Sequence, residues 1–434
     1  MLSLKGRKKV RAARAALLAG AVVVAVGASA GSASAAPLCT GSNIFGEGSS
    51  LQKVAELNVW KPEFEASICP GGPTVSYEGS GSGAGLAAWR FTGAGTINTG
   101  VQFVGTDDAP NPAQIKNARL ATSSKISTAA NVLTIPITQT SISIVANPPE
   151  GCTIEAIDNV QLEQVFKGTL LNWNELTTAS GTCASPITRV VRFDSSGTTY
   201  QFKNYLSKLN GKGILPCTGG KVWKELEESG TPNTTWPVNS GGCEEPTLSP
   251  VVTAGVKGGG ALVEKLNATA GSIGYAALPD AKAKSAKVIL NLQNNGKVTK
   301  KETYVSPGSA GHANCGTTVY TVPKPGREGE GTGLNANWSK VFGAKISTVK
   351  SGNGYPLCTL TYALAWNGYQ KAGFTEANEI SVNDYLREYV TATAGGQEGI
   401  VTAVNRWYAP LPESAELNHD VLGSAQYTAS KISY

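Results

Sequence analysis

Residues 190–206 read VVRFDSSGTTYQFKNYL. The two valines close a β-branched run that starts at Ile187, while Phe202, Tyr205, Leu206 and Leu209 follow helical i, i+3, i+4, i+7 spacing. The segment therefore reads strand, turn, helix, which is the repeating unit of an α/β protein. The apolar stripe is core packing. The turn carries the chemistry. Arg192 and Asp194 stand two apart, hence on one face of an extended chain, and a run of small hydroxyl residues leads into the helix. A helix N-terminus offers unpaired N–H groups and partial positive charge, which suits an oxyanion. A guanidinium can grip such an ion with two parallel bonds while a carboxylate holds its fork. A surface ion pair and ordinary serine capping account for the same residues equally well.

Three other stretches share the design: GEGSSLQ (46–52), GSGSGAG (79–85) and GTDDAP (105–110). Each places Gly, Ser, Thr or Asp directly before a helical pattern. Rival motifs are weaker. GSGSGA formally fits a dinucleotide fingerprint, with Asp107 and Asp108 some twenty residues on, but export argues against a nicotinamide cofactor. No phosphate-binding loop ending in Gly-Lys-Ser/Thr and no G-x-S-x-G elbow occurs, and no histidine lies near these turns. Elsewhere, IDNVQLEQVFKG (157–168) reads as a helix capped by Asp158 and stopped by Gly168. Residues 210–260 and the stretch 326–338 read as loops.

The chain has 434 residues, which suggests two domains, and 41% hydrophobic against 16% charged residues marks it as globular. Residues 1–36 have the layout of a secretory signal peptide: six basic residues, an apolar run from Ala15 to Val26, then Ala-Ser-Ala. The run is short for a bilayer span. Removing it leaves 31 basic against 31 acidic residues, so net charge gives no support for a nucleic-acid partner. Eight cysteines in an exported chain point to disulfides, and sequential pairing would close four local loops. With no CxxC spacing and two histidines, no metal site is expected.

The segments YEGSGSGAG, DDAP, LEQVFKGTLLNWNEL, ITRVVRFDSSGTTYQFKNYL, TWPV, GSIGYA, YPLCTLTYAL and YAPLPE occur in this order between Gly46 and Pro412. In them the chain resembles the phosphate-binding proteins of the high-affinity phosphate ABC transporter and the related secreted phosphate binders. The resemblance implies an α/β, type II periplasmic-binding-protein fold: two α/β domains joined by two crossing strands, with the ligand cleft between them. It implies a first domain of residues 37–147 and 356–434 and a second of residues 148–355. The crossings would fall near Asn147 and Pro356. Carried over, the phosphate contacts are Ser50, the Leu51 amide, Ser82, Asp108, Arg192, Ser196, Gly197 and Thr198, with Asp194 orienting the arginine. The implied protein is a monomeric binder rather than an enzyme, exported to the periplasm, cell envelope or medium, needing no cofactor, with a transporter permease as partner.

The chain departs from the pattern in four places. Ser50 and Leu51 stand where Thr and Phe are usual. Two aspartates occupy the place of one, and Asp108 is chosen because it precedes Ala-Pro. The loop around Cys243 carries extra residues. Leu38 before Cys39 spoils a lipoprotein signal. Alternatives are a secreted phosphate-ester hydrolase, which lacks a visible nucleophile–base pair, and a binder of another oxyanion.

Overall fold

The computed structural model describes residues 36–215, 220–223, 234–237, 251–252, 255–294, 304–315, 320–323, 338–341, 354–391, 396–402, 406–415 and 420–434. The expected signal peptide apart from Ala36, Cys217, Cys243 and the loop at 326–337 lie outside these residues.

Strand β1 (Ile44–Gly48) pairs in parallel with β2 (Val75–Glu78) on one side and β3 (Phe103–Thr106) on the other. Each runs into a helix through one of the small-residue turns. β1 leads to a helical stretch at residues 53–68 that is π-helical at Glu56–Trp60 and Phe64–Ile68. β2 leads to α1 (Ser82–Ala88), and β3 to α2 (Pro112–Thr122). In α2, Asn111 and Gln114 cap each other and Pro112 occupies the first turn, where its missing N–H costs nothing.

Strand β4 (Asn131–Asn147) is rich in β-branched residues and buried along its length after Asn131, as expected of a strand covered on both faces. α3 (Asn159–Lys167) starts at Asp158, whose side chain accepts from the Gln161 N–H, and ends at Gly168 in the left-handed conformation. β5 (Thr188–Val190), α4 (Gly197–Asn210), β6 (Val251–Val252), α5 (Gly258–Asn267), β7 (Ser272–Ala277), α6 (Leu278–Ala283) and β8 (Val288–Gln293) follow. β9 (Cys358–Asn367) returns to the first strands, and α7 (Glu376–Tyr389) packs beside them.

One sheet runs β2-β1-β3-β9-β4-β7-β5-β6. β4 joins its halves: residues 131–141 pair antiparallel with β9, and residues 142–147 pair with β7. The hydrophobic residues divide accordingly. Ile135 and Ile137 belong to a core with Phe103, Trp366 and Tyr385. Ile142, Ile144 and Ala146 belong to a second core with Phe166, Phe202 and Tyr275. In the second core the Phe202 ring stacks on Tyr275 at 4.5 Å and meets Phe166 edge-on at 4.6 Å. Each such fully buried side chain contributes about 1.5–3 kcal/mol. Cys39–Cys69, Cys152–Cys183 and Cys315–Cys358 are joined as neighbours in sequence.

Candidate ligand-binding site

The four turns converge where the two cores meet. Arg192 lies just beyond the last residue of β5 and is 2% exposed. Its Nε donates to Asp194 Oδ1 at 2.6 Å, and its Nη2 donates to Asp194 Oδ2, so the carboxylate grips the fork from one side. Phe193 between them points outward and is 61% exposed, which is the alternation an extended backbone gives. Burial pulls the guanidinium pKa down, but the bonds and charge of Asp194 outweigh it and leave it above its ordinary value. The remaining amine Nη1 donates to Ser50 Oγ at 3.3 Å, across to the turn after β1.

That turn uses both serines. Ser50 Oγ also accepts from the Gly259 N–H at the start of α5, 3.2 Å away. Ser49 Oγ donates to Asp107 Oδ1 and accepts from the Leu51 N–H at 3.1 Å. Asp107 is the hub of the turn after β3. Thr361 Oγ1, on β9, donates to its Oδ1 at 2.7 Å, and Thr198 Oγ1, in the first turn of α4, donates to its Oδ2 at 3.0 Å. Ser82 Oγ, at the start of α1, accepts from the Asp107 N–H at 3.2 Å. Burial raises the Asp107 carboxyl above its usual range, against the three hydroxyl bonds and Arg192, which lower it.

Asp108 takes none of these hydroxyl bonds at its carboxyl. Its N–H donates to Thr106 Oγ1, and its carboxyl lies in the field of Lys203 on α4. Burial pushes Asp108 up to about 7, with Lys203 opposing and Asp107 reinforcing. Burial likewise brings Lys203 down to about 7, with Asp108 opposing. Lys203 Nζ donates to the Thr235 carbonyl at 2.6 Å. Asp280 of α6 is also buried and pushed up to about 7 by that burial, with Arg192 opposing.

Ser196 is the N-cap of α4, its Oγ accepting from the Thr199 N–H at 3.2 Å, and its own N–H is spent on the Thr234 carbonyl at 2.8 Å. Two glycines measure how closely the faces approach. A Cβ on Gly197 would lie 2.6 Å from Ser82 Oγ and 2.7 Å from the Asp108 nitrogen. Gly81, with φ +106°, could carry a side chain only with strain, and its Cβ would lie 2.7 Å from Asp194 Oδ2.

The structure thus brings Ser50, Leu51, Ser82, Arg192, Asp194, Ser196, Gly197 and Thr198 into one cluster, whose hydroxyls bond the Asp107 carboxyl and not that of Asp108. Asp107, weighed against Asp108 in the sequence, joins it, and so do Ser49, Thr361 and the Gly258–Gly259 amides, which the sequence had not singled out. The glycine run at 258–260 ahead of the α5 pattern was a fifth turn of the same design. Thr361 had no local signal. Chemically, the cluster combines a buried arginine, hydroxyl donors and the N-termini of α1, α4 and α5 with carboxyls held toward their protonated forms. Among the described residues, no helix is long and apolar enough to cross a membrane.

Comparisons with known proteins bear on the family and the fold. A family model described as a PBP superfamily domain matches residues 28–391. The phosphate-binding protein PstS 3 of Mycobacterium leprae (strain TN) is 27% identical over 363 residues, 81% of this chain and 78% of that protein. A protein named alkaline phosphatase L, from Pseudomonas aeruginosa, is 25% identical over 352 residues, 80% of this chain and 82% of its own. The structure of a phosphate-binding protein from Stenotrophomonas maltophilia aligns with a TM-score of 0.57 at 19% identity, covering 89% of this chain and 93% of that one. Crossing strands between two cores, turns that converge at their junction and a family match over most of the sequence lead to one assignment: the chain belongs to the PBP superfamily and has the type II periplasmic-binding-protein fold.

Proposed function

We propose that this chain is an exported binding protein for inorganic phosphate. The observation that carries the reading is the buried Arg192, fixed by Asp194 and aimed at the hydroxyl-rich turns of the opposite face. Ser50, Ser82, Ser196 and Thr198 supply hydroxyls, and the amides of Leu51, Gly197 and Thr198 supply N–H donors. Carboxyls at such a site suit an oxyanion that brings its own proton. Hydrogen phosphate can donate to a carboxylate, and a fully ionised sulfate cannot, which leaves a buried acceptor unpaired. Asp107 is the acceptor best supported for this role, because hydroxyls of the ligand turns surround it. Asp108 follows it in sequence, with Lys203 acting on its carboxyl only through charge.

In this reading residues 37–141 and 356–434 form one domain and residues 142–355 the other, closing on the ion; residues 142–147, placed in the first domain on resemblance, pair with β7 and pack in the second core. Residues 1–36 are the export signal. The mature protein is a monomer that delivers phosphate to a membrane permease and performs no chemistry on it. The relative named alkaline phosphatase L makes phosphate-ester hydrolysis the second reading. Competition calorimetry with phosphate, arsenate, sulfate and a phosphate monoester tests both. We expect phosphate and arsenate to bind and sulfate to fail. Turnover of the ester would replace the binder by the hydrolase.

A further inference from the structure

A further stretch of chain leaves the first core, touches the second beside β4 and returns to the first. Residues 407–410 lie along the middle of β4. Ala409 and Gln139 exchange backbone hydrogen bonds at 2.9 and 3.2 Å. Thr138 Oγ1 donates to the Ala409 carbonyl and Thr140 Oγ1 to the Trp407 carbonyl, each at 2.8 Å. Gln139 Nε2 donates to the Pro410 carbonyl, also at 2.8 Å. The side chains alternate: Tyr408 enters the first core, while Trp407 and Ala409 pack on the second. On the other side of β4, the pairing with β9 shifts register between Thr361 and Tyr362, and Thr361 is the residue that donates to Asp107.

Two further observations mark this stretch as more than packing. Trp407 has φ +66°, a left-handed backbone that a bulky residue adopts only where its surroundings impose it. The fully buried Tyr408 reaches the ligand turn itself: its hydroxyl donates to the Leu51 carbonyl and accepts from the Ala55 N–H at 3.3 Å. Leu51 and Ala55 bracket the path from the Ser49–Ser50 turn into its helix.

We propose that residues 407–410 are a strip of the hinge, laid along β4, and that Tyr408 is a positioning residue, fixing the turn at residues 49–51 relative to the hinge. Flexing at β4 moves the strip on which Tyr408 sits, and the hydroxyl passes that movement to the turn that carries Ser49 and Ser50. The proposal rests on the reading of that turn as part of the binding site, and its test separates the two.

The test compares Tyr408→Phe with Tyr385→Phe, which removes another buried hydroxyl of the same core, bonded to Glu56. Hydrogen exchange is followed in the full mature chain without ligand, and inorganic phosphate binding is measured by calorimetry and stopped flow. With one hydroxyl removed, we expect Tyr408→Phe to speed amide exchange at Leu51 and Ala55 by about 10-fold and to weaken phosphate binding by about 10-fold, chiefly through faster dissociation. Tyr385→Phe should change neither. Exchange at both amides within about twofold of wild type in Tyr408→Phe, or an equal change in Tyr385→Phe, would overturn the proposal. Failure of the wild-type protein to bind phosphate would overturn the phosphate reading instead, and the exchange comparison would still decide the role of Tyr408.

Discussion

Replacing Asp107 with asparagine keeps the side chain's shape and reverses one of its two polar ends. In the native site Oδ1 accepts from Ser49 and Thr361, and Oδ2 accepts from Thr198. An asparagine oriented to keep the two bonds at Oδ1 presents an NH2 group in place of Oδ2. A ligand O–H that would donate there meets a donor, at a cost of about 1–3 kcal/mol, or roughly 5- to 150-fold in phosphate affinity. Sulfate gains a hydrogen bond at the same place, worth about 0.5–1.5 kcal/mol. The preference for phosphate over sulfate should therefore fall by about 150-fold, combining the middle of the two ranges. Asp108→Asn alters a carboxyl to which none of these hydroxyls donates, and we expect it to move the preference by less than about threefold. Arsenate, which shares the proton, should follow phosphate in all three proteins. Calorimetry at one pH and one ionic strength measures the ratios, since screening alone changes anion affinities. A ratio that survives Asp107→Asn and collapses in Asp108→Asn would refute the assignment and return the acceptor role to Asp108.

Arg192→Ala should abolish phosphate binding and leave the fold intact, and Arg192→Lys should also bind poorly because a point charge cannot reproduce the fork; undiminished affinity by calorimetry in the alanine variant would sink the site. Glu56, buried and hydrogen-bonded by Tyr385 and Tyr389, is pushed by burial from 4.5 to about 8. Its pKa is raised on folding, so its contribution is complete below about 4.5 and is lost as pH rises toward 8, at about 1.4 kcal/mol per pH unit across that window. Thermal unfolding at pH 5 and pH 9 should show Glu56→Gln losing less stability than wild type over that rise, and parallel losses would contradict a buried neutral acid. Finally, thiol titration of the denatured, unreduced mature protein should detect no free thiol; two per chain would mean that Cys217 and Cys243 are not joined.

Features set by neighbours in sequence were legible before the structure. Arg192 and Asp194 meet because a two-residue spacing on extended chain fixes their side, and Phe193 is exposed for the same reason. Asp158 and Gly168 bound their helix through backbone geometry that each residue favours on its own. The choice between Asp107 and Asp108 was different in kind. Parity along a strand is read from alternating burial, and Phe103–Thr106 is buried at every position, so nothing local says which aspartate turns toward the serines. The hydroxyls that settle the matter come from Ser49, Thr198 and Thr361, which are brought to Asp107 only by the assembled sheet and the meeting of the two cores. Tyr408 is more distant still: its ring reads as an ordinary core aromatic, and its role follows from a backbone contact to Leu51 across 357 residues of sequence. Local pattern therefore identified the elements that meet at the cluster, while the acceptor proposed to read the ligand's proton and the tyrosine proposed to tie the turn to the hinge depend on how those elements pack.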